Sequence, residues 1–160
     1  MVLMTETDQL HEMVGGRLAR SGQRYTDGRR DLVDALADQD GPLSMAAILE
    51  RVPGMPQSSA YRHLTVLASC GVVHRIAGAD DVGFFELTDE LSGRHHHHVL
   101  CGECGSVGDI ESSDDLEDAL ARAARITASR TGYAIDAHRI DLVGTCPDCL
   151  SSGAAPVRAG

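Results

Sequence analysis

The residues with the clearest chemical potential lie in one stretch, GRHHHHVLCGECG, at positions 93–105. It places four consecutive histidines three residues ahead of a Cys-x-x-Cys pair. Imidazole nitrogen and thiolate sulfur are ligands that zinc and related divalent ions favour in proteins. Four adjacent side chains cannot easily share one ion, so the fold around them must divide them.

Four cysteines form two Cys-x-x-Cys pairs, Cys101 with Cys104 and Cys146 with Cys149. Each pair can present two thiolates to one tetrahedral ion, and two such pairs make a closed, structural four-thiolate site. The alternative is two unconnected redox or core pairs. The fifth cysteine, Cys70, ends an apolar helix, where cysteine most often acts as a small buried side chain.

A β-strand would divide the histidines, because successive side chains of a strand point to opposite faces. His95 and His97 would share one face and His96 and His98 the other, so the tetrad could serve two ions. Each pair needs further ligands, for which the candidates are His74, Glu86, Glu117 and His138. The alternative, an expression tag or a solvated tract, fits poorly with an internal position beside a Cys-x-x-Cys pair.

Length and composition predict a soluble globular protein of one large or two small domains, since the chain has 160 residues and is 42% hydrophobic. No signal peptide and no membrane-spanning apolar run is recognisable, so we expect a cytoplasmic protein with reduced thiols and no membrane partner. The net charge of the chain is −10, yet the stretch from Arg17 to Arg75 contains 8 arginines and only 6 acidic residues. A mildly basic first half before an acidic second half indicates different partners for the two halves.

Helical periodicity and stop signals fill the first half of the chain. Helices are predicted in HEMVGGRLARSG, DGRRDLVDALADQDGP, SMAAILERVPG and PQSSAYRHLTVLASCG, with Ser44 as an N-cap and Gly71 as a stop. VVHRI and FFELT then read as a β-hairpin around AGADDVG. The last three of these helices, followed by the hairpin, have the order of a winged helix, whose third helix would be SSAYRHLTVLAS.

The second half reads as a small α+β unit after a linker, DELSGR. HHHHVLC and SVGDIE are predicted strands joined at GECG, and YAIDAHRIDLVGTC is the last predicted strand. Between them lies a helix, SSDDLEDALARAARITASRTG, with Ser112 or Ser113 as N-cap and Gly132 as stop. Because this unit is small for a free-standing domain, we expect dimerisation through it.

These segments together resemble the ferric uptake regulator family of metal-sensing repressors over about residues 22–149. GQRYTDGRRDLV resembles the lead into the family's first helix, SSAYRHLTVLASCGVVHR its recognition helix, and FELT the return strand of its wing. HHHHVLCGECG and HRIDLVGTCPDC resemble its metal-binding core. The resemblance implies an α+β protein: an N-terminal winged-helix DNA-binding domain at 1–88, a hinge at 89–94, a small α/β metal-binding dimerisation domain at 95–150 and a flexible tail at 151–160.

Three metal sites follow from the resemblance, position by position. The structural site would use Cys101, Cys104, Cys146 and Cys149. The regulatory hinge site would use His74, Glu86, His96 and His98. The third site, in the dimerisation domain, would use His95, His97, Glu117 and His138.

Zinc is the predicted ion of both the structural and the regulatory sites. HHHH before the Cys-x-x-Cys pair, GTCPDC and a histidine after GVV resemble the zinc uptake regulator branch of the family. FELT instead resembles the iron-sensing branch, and FFELTDELSGR lacks the cysteine that zinc-sensing members often place there. Three histidines and a carboxylate also suit iron(II) and other divalent ions. The long linker leaves Asp89 or Glu90 as an alternative ligand to Glu86.

The implied function is metal-dependent repression by a homodimer. A metal at the hinge would fix the angle between the two domains and so promote binding to double-stranded operator DNA, repressing metal-uptake genes. We expect major-groove contacts from Tyr61 and Arg62, with Tyr61 as a core residue and Arg62 as a solvated one being the alternative. Phosphate contacts are expected from Ser58 and Ser59, and phosphate or minor-groove contacts from Arg24 and Arg29.

Two other classes of function compete with this interpretation. A metal-dependent hydrolase would need an open coordination position, whereas each predicted site reaches four ligands and no nucleophile or acid–base pair is left over. We therefore expect no enzyme activity. A metal store or chaperone would carry the winged helix as a scaffold only, and would show no metal-dependent binding to promoter DNA. Iron or peroxide sensing is the alternative within the family.

Overall fold

The computed structural model describes residues 5–39, 41–78, 83–93 and 95–153. The chain divides into two compact units, Met1–Arg94 and His95–Gly160. No helix within the described ranges is long and apolar enough to cross a bilayer.

The described part of the first unit contains five helices, two of which begin with a side-chain cap. The Thr5 hydroxyl accepts a hydrogen bond from the Asp8 N–H at 3.1 Å while the Asp8 carboxylate accepts from the Thr5 N–H at 3.1 Å, a capping box. Ser44 is the predicted N-cap, and its hydroxyl accepts from the Ala47 N–H at 3.3 Å. The helices are α1 (Glu6–Arg20), α2 (Asp27–Ala37), α3 (Met45–Arg51), α4 (Gln57–Ser69) and α5 (Asp89–Ser92).

Aliphatic side chains from four of these helices form the core of the first unit. Helical spacing brings them to one face of each helix, and several are fully buried: Val14, Leu18, Leu32, Val33, Ile48, Leu64 and Leu67. Helices α2 and α4 approach closely at Gly28, where an added Cβ would lie 3.3 Å from Nε2 of His63. This packing fixes α4, the predicted recognition helix, against α2.

A three-stranded antiparallel sheet, with one strand before α3 and two after α4, completes the winged helix. Its strands are β1 (Leu43–Ser44), β2 (Val73–Ala77) and β3 (Gly83–Leu87), in the order β1-β3-β2. The register places His74 directly opposite Glu86. The predicted hairpin is present, whereas the two-residue strand β1 was not predicted, because it is too short to give an alternating pattern.

The segment predicted as a linker begins with α5 rather than an irregular loop. Leu91 of this helix is buried at 7% exposure in the core of the first unit. The helix ends at Gly93, which adopts a left-handed conformation with φ of 69°. Burial of this one leucine accounts for the helix. The polar composition of DELSGR gives no sign of that burial.

The second unit is a three-stranded sheet with helices. Strand β4 (His96–Cys101) lies in the centre, antiparallel to β5 (Val107–Glu111) and parallel to β6 (Asp141–Gly144). Between β5 and β6 runs α6 (Asp114–Thr131), which Ser113 caps and Gly132 ends with a left-handed φ of 77°. A short helix, α7 (Pro147–Ser151), closes the described chain.

The last predicted strand is only partly correct. YAIDAHRIDLVGTC contains strand structure only at Asp141–Gly144, and residues 132–140 are in no regular element. A strand requires a hydrogen-bonded neighbour, and β4 pairs with β6 only from His98 onward. Helix α7 reaches the first residue of the predicted tail, and the tail residues 154–160 lie outside the described ranges.

Candidate metal centres

The four paired cysteines converge at one end of the second unit. One sulfur from each of Cys101, Cys104, Cys146 and Cys149 lies within 4.8 Å of the other three. Sγ of Cys104 is 3.7 Å from Sγ of Cys146, and none of the four forms a disulfide. Sulfurs about 2.3 Å from one tetrahedral ion are about 3.8 Å apart, so the cluster has the dimensions of a zinc–thiolate site.

Strand ends and turns produce this convergence. Cys101 ends β4, and a turn returns the chain so that Cys104 follows three residues later. Cys146 is the N-cap of α7, with Pro147 in the first turn, and its N–H donates to Sγ of Cys101 at 3.3 Å. The parallel pairing of β4 with β6 therefore joins two distant Cys-x-x-Cys turns.

The thiols have unequal proton affinities. Backbone N–H groups of Cys104 and Cys146 point at the Cys101 sulfur and lower its pKa to about 6. The Ser106 hydroxyl and N–H lower the pKa of Cys104. Hydrogen bonding with Cys146 and Cys104 raises the pKa of Cys149 to about 12. The site therefore favours at least one thiolate near neutral pH, which is the form that binds metal.

A second cluster joins three imidazoles and a carboxylate within the same unit. One atom from each of His95, His97, Glu117 and His138 lies within 4.8 Å of the other three. Glu117 Oε1 is 3.0 Å from Nε2 of His97, and Glu117 Oε2 is 3.0 Å from Nε2 of His138. Nε2 of His95 lies 3.1 Å from Nε2 of His138. Ligands about 2.1 Å from a tetrahedral ion are about 3.4 Å apart, so this cluster also fits zinc or a similar ion.

Burial and charge prepare this second cluster for a cation. Burial raises the pKa of Glu117, but the neighbouring Ser112 hydroxyl, the hydrogen bond from His97 and the positive charge available on His95 and His138 outweigh it, so the pKa is lowered. His97 is only 1% exposed. Glu117 is therefore ionised near neutral pH, and a divalent ion would compensate its charge.

The histidine tetrad divides between the two faces of β4. His95 and His97 point to Glu117 and His138, while the rings of His96 and His98 stack edge-on with centroids 5.1 Å apart. Nδ1 of His98 lies 3.3 Å from a carboxylate oxygen of Asp141. Strand alternation predicted this division.

Asp141 is a residue that the sequence reasoning missed. Its carboxylate can accept the Nδ1–H of His98, which leaves Nε2 of His98 free of a proton and able to bind a metal. The pairing arises from the parallel register of β4 and β6, which places His98 opposite Asp141. A sequence does not reveal which strands pair or in which register, so no signal in HRIDLV could have identified it.

The other two predicted hinge ligands lie in the first unit. His74 and Glu86 are direct cross-strand partners on β2 and β3, so their side chains leave the sheet on the same face. Of the alternative ligands, Asp89 opens α5 and Glu90 forms an ion pair with Arg17 at 3.3 Å. Each half of the predicted hinge site is thus assembled within its own unit.

The predicted DNA-contacting residues lie on α2, on α4 and just before α2. Ser58, Tyr61 and Arg62 of α4 are exposed, and Tyr61 is 43% exposed with its ring edge-on to Phe85 at 6.4 Å. Tyr61 is thus neither a core residue nor fully solvated. The remaining three are one partly buried serine and two arginines, of which one donates to the backbone carbonyl of the other: Ser59, Arg29 and Arg24.

A winged helix followed by a small α/β unit with clustered cysteines and histidines is the arrangement expected of a metal-dependent transcriptional regulator. The model of the ferric uptake regulator family matches residues 20–143. The chain therefore belongs to the ferric uptake regulator family, whose members are regulators rather than enzymes.

Individual relatives agree with this assignment. The ferric uptake regulation protein of Bacillus subtilis is 32% identical over 102 residues, covering 64% of this chain and 65% of that protein, just under two thirds of its length. The transcriptional regulator FurA of Mycobacterium tuberculosis is 28% identical over 76% of this chain and 78% of that protein. The Helicobacter pylori ferric uptake regulator, described as having three functional metal binding sites, matches with a TM-score of 0.70 at 17% identity, over 96% of this chain and 100% of that one. The predicted α+β fold, with a winged helix before a small α/β domain, is confirmed.

Proposed function

We propose that this protein is a zinc-dependent repressor of metal-uptake genes, activated by metal at a hinge site formed by His74, Glu86, His96 and His98. The single observation that carries the proposal is the division of the tetrad. His95 and His97 have ligand partners within their own unit, whereas the orientation of His98 by Asp141 prepares the opposite face for an ion as well. His74 and Glu86, cross-strand partners on the winged helix, would complete four ligands.

The hinge residues would act by holding two units at one angle. A bound ion supplies a cross-link of fixed length between β2–β3 of the winged helix and β4 of the second unit. In a homodimer, that angle sets the separation of the two α4 helices, which must match successive major grooves on operator DNA. A coupling of about 3 kcal/mol between metal and DNA binding would change operator affinity about 150-fold.

The other two clusters would have structural and stabilising roles. Closed four-thiolate sites contribute folding energy, of order 10 kcal/mol for a structural zinc. The site of His95, His97, Glu117 and His138 lies on the opposite face of β4 from His96 and His98, so it would stabilise the dimerisation unit rather than span the hinge.

Exposed apolar surface on the second unit supports the homodimer. None of the 18 residues of α6 is buried, although its apolar side chains follow a helical period. Tyr133, Leu142 and Val143 are 72%, 54% and 62% exposed. Strand β6 also ends the three-stranded sheet and leaves one edge open. A second copy of the chain would cover these surfaces.

On DNA, α4 would enter the major groove with Tyr61 and Arg62 at the base edges. Four residues near the N-termini of α2 and α4 would contact the phosphates or the minor groove: Arg24, Arg29, Ser58 and Ser59.

Iron(II) sensing is the second candidate function. The hinge ligands of this chain are three histidines and one carboxylate, without a thiolate, and this set accepts iron(II) as well as zinc. The similarity to the Bacillus subtilis ferric uptake regulation protein favours the same alternative. Zinc remains the first choice because nitrogen and carboxylate sites bind it more tightly than iron(II).

The test is a metal-resolved DNA-binding titration on promoter DNA of the protein's own gene. The protein would be stripped of regulatory metal and titrated separately with zinc, iron(II) and manganese(II) under anaerobic conditions. Zinc should activate binding at the lowest free concentration, and His96→Ala should abolish activation without unfolding the protein. If DNA binding is activated at a lower free concentration of iron(II) than of zinc, the regulatory ion is iron(II) and not zinc. Metal uptake without any change in DNA affinity would indicate a store, and metal-dependent hydrolysis would indicate an enzyme.

A further inference from the structure

Arg17 of α1 connects three separate parts of the first unit. Its guanidinium donates to the carbonyl of Gly71 and to the hydroxyl of Thr88 at 3.3 Å, and pairs with the Glu90 carboxylate at 3.3 Å. These partners belong to the turn after α4, the residue after β3 and the first turn of α5. One side chain therefore joins the first helix to the segment through which the chain leaves the winged helix.

Thr88 is itself held from both sides. Its N–H donates to the carbonyl of Val72 at 3.1 Å and its hydroxyl to the carbonyl of Gly71 at 3.2 Å, and the residue is only 4% exposed. Three residues further on, Leu91 of α5 packs into the core. The exit segment as far as α5 is thus part of the winged helix, although its sequence reads as a linker.

The N-terminal half of α1 contacts α2 and the residue Tyr25 just before it. His11 Nδ1 lies 2.7 Å from the hydroxyl of Tyr25, and His11 Nε2 lies 2.8 Å from a carboxylate oxygen of Asp34. The His11 side chain is 10% exposed. Tyr25 lies next to Arg24, and the Arg30 guanidinium stacks over its ring at 5.0 Å from the centroid. Helix α1 therefore spans from the exit segment to the arginine-rich start of α2.

We propose that α1 is a brace that passes a constraint at the hinge to the DNA-contacting residues, with Arg17 as the positioning residue at the hinge end. The inference rests on the proposed function, because it concerns how metal at the hinge affects DNA affinity. Without Arg17, α5 and Thr88 would lose this connection to α1, and rotation of the hinge would no longer be passed to that helix. The exposed pair with Glu90 contributes little alone, so the effect rests on the hydrogen bonds from Arg17 to the Gly71 carbonyl and to the hydroxyl of Thr88, of which Thr88 is buried.

The experiment compares Arg17→Gln with Arg20→Gln. Both arginines lie in the last turn of α1, and Arg20 is exposed, so each variant removes one positive charge from the same turn. One readout is the ratio of DNA dissociation constants without and with zinc. The other is amide hydrogen exchange of residues 88–93 in protein without regulatory metal, which does not depend on the hinge ion.

We expect Arg17→Gln to reduce the ratio about tenfold and to speed exchange in residues 88–93, with protection of α2 and α4 unchanged. Arg20→Gln should leave the ratio within about twofold of the natural protein. Equal ratios in the two variants would overturn the proposal. If Arg17→Gln does not fold, Arg17→Lys keeps the charge but cannot reach three acceptors, and the same readouts apply.

The outcomes separate this inference from the proposed function. A natural protein whose DNA affinity ignores zinc contradicts the proposed function, and the brace is then judged on exchange alone. Unchanged exchange of residues 88–93 in Arg17→Gln contradicts the brace whatever the DNA result.

Discussion

At the scale of single residues, the cysteine cluster and the histidine clusters depend on the fold to different extents. Each Cys-x-x-Cys turn is local, so its two sulfurs are near each other in any compact structure. The imidazoles depend on a strand for their division and on its neighbours for their partners. Substitutions in the two kinds of cluster should therefore fail in different ways.

Cys104→Ser should reduce bound zinc by one equivalent for each chain and destabilise the second unit. Three thiolates and a hydroxyl bind zinc far more weakly than four thiolates, and the lost binding energy is folding energy. Zinc analysis and thermal unfolding would measure both effects. Cys70→Ser is the matched control, because Cys70 lies in the first unit, and an equal loss of zinc in this variant would contradict the proposed structural site.

Asp141→Asn should weaken regulatory zinc binding about 10- to 100-fold while leaving the fold intact. The Asp141 carboxylate fixes the tautomer of His98 and makes its imidazole more basic. The uncharged amide of asparagine would do neither as well. Competition with a chelator of known affinity would measure the change, with exposed Asp136→Asn as the control. If both variants bind zinc equally, Asp141 has no part in the site.

Residue types and spacing thus predicted the two cysteine pairs, because each pair lies in one short turn, whereas the meeting of the two turns depends on the pairing of β4 with β6. They did not predict Asp141, since its role depends on a strand register that no local pattern encodes. The hinge ligands fall between these cases. The pairs His74 with Glu86 and His96 with His98 follow from strand patterns, whereas their union across the hinge is supported only by family resemblance.

At the scale of elements, the strong periodic signals gave the helices and the hairpin, and the weak signals failed. The two-residue strand β1 and the helix α5 are fixed by tertiary contacts, of which Leu91 in the core is the clearest. The predicted long last strand shortened to Asp141–Gly144 because alternation marks exposed and apolar positions but cannot supply a neighbouring strand. Dimerisation would supply one.

The contact of Tyr25 with His11, which connects α1 to the start of α2, should weaken in alkaline solution. Burial raises the pKa of Tyr25 to about 12 from its ordinary value of 10.0. The folded state therefore holds this proton more tightly than the unfolded state, so stability is full below pH 10 and falls as the pH rises towards 12. Urea unfolding across that range would measure the fall, which should be smaller in Tyr25→Phe. Identical pH profiles would contradict the assignment.

At the scale of the whole molecule, the exposed apolar residues of the second unit should hold two copies together. Replacing Leu142 and Val143 by Asp should shift the protein from dimer to monomer, because charges would be buried without partners at the interface. Sedimentation analysis would measure the shift, and DNA affinity should fall with it. Met13→Asp, at an apolar position of the first unit that is 44% exposed, is the control. A dimer that persists in the double variant would move the interface elsewhere.

Strand β4 carries residues from every cluster of the second unit: histidines on alternate faces and Cys101 at its end. Such a strand tolerates replacement of a single ligand better than a change in its length. One residue inserted between His98 and Cys101 would move each histidine to the opposite face of the sheet relative to the thiolates. His95 and His97 would then lie where His96 and His98 lie now. We therefore expect an inserted residue to be tolerated in the turns beyond β4 but not within it.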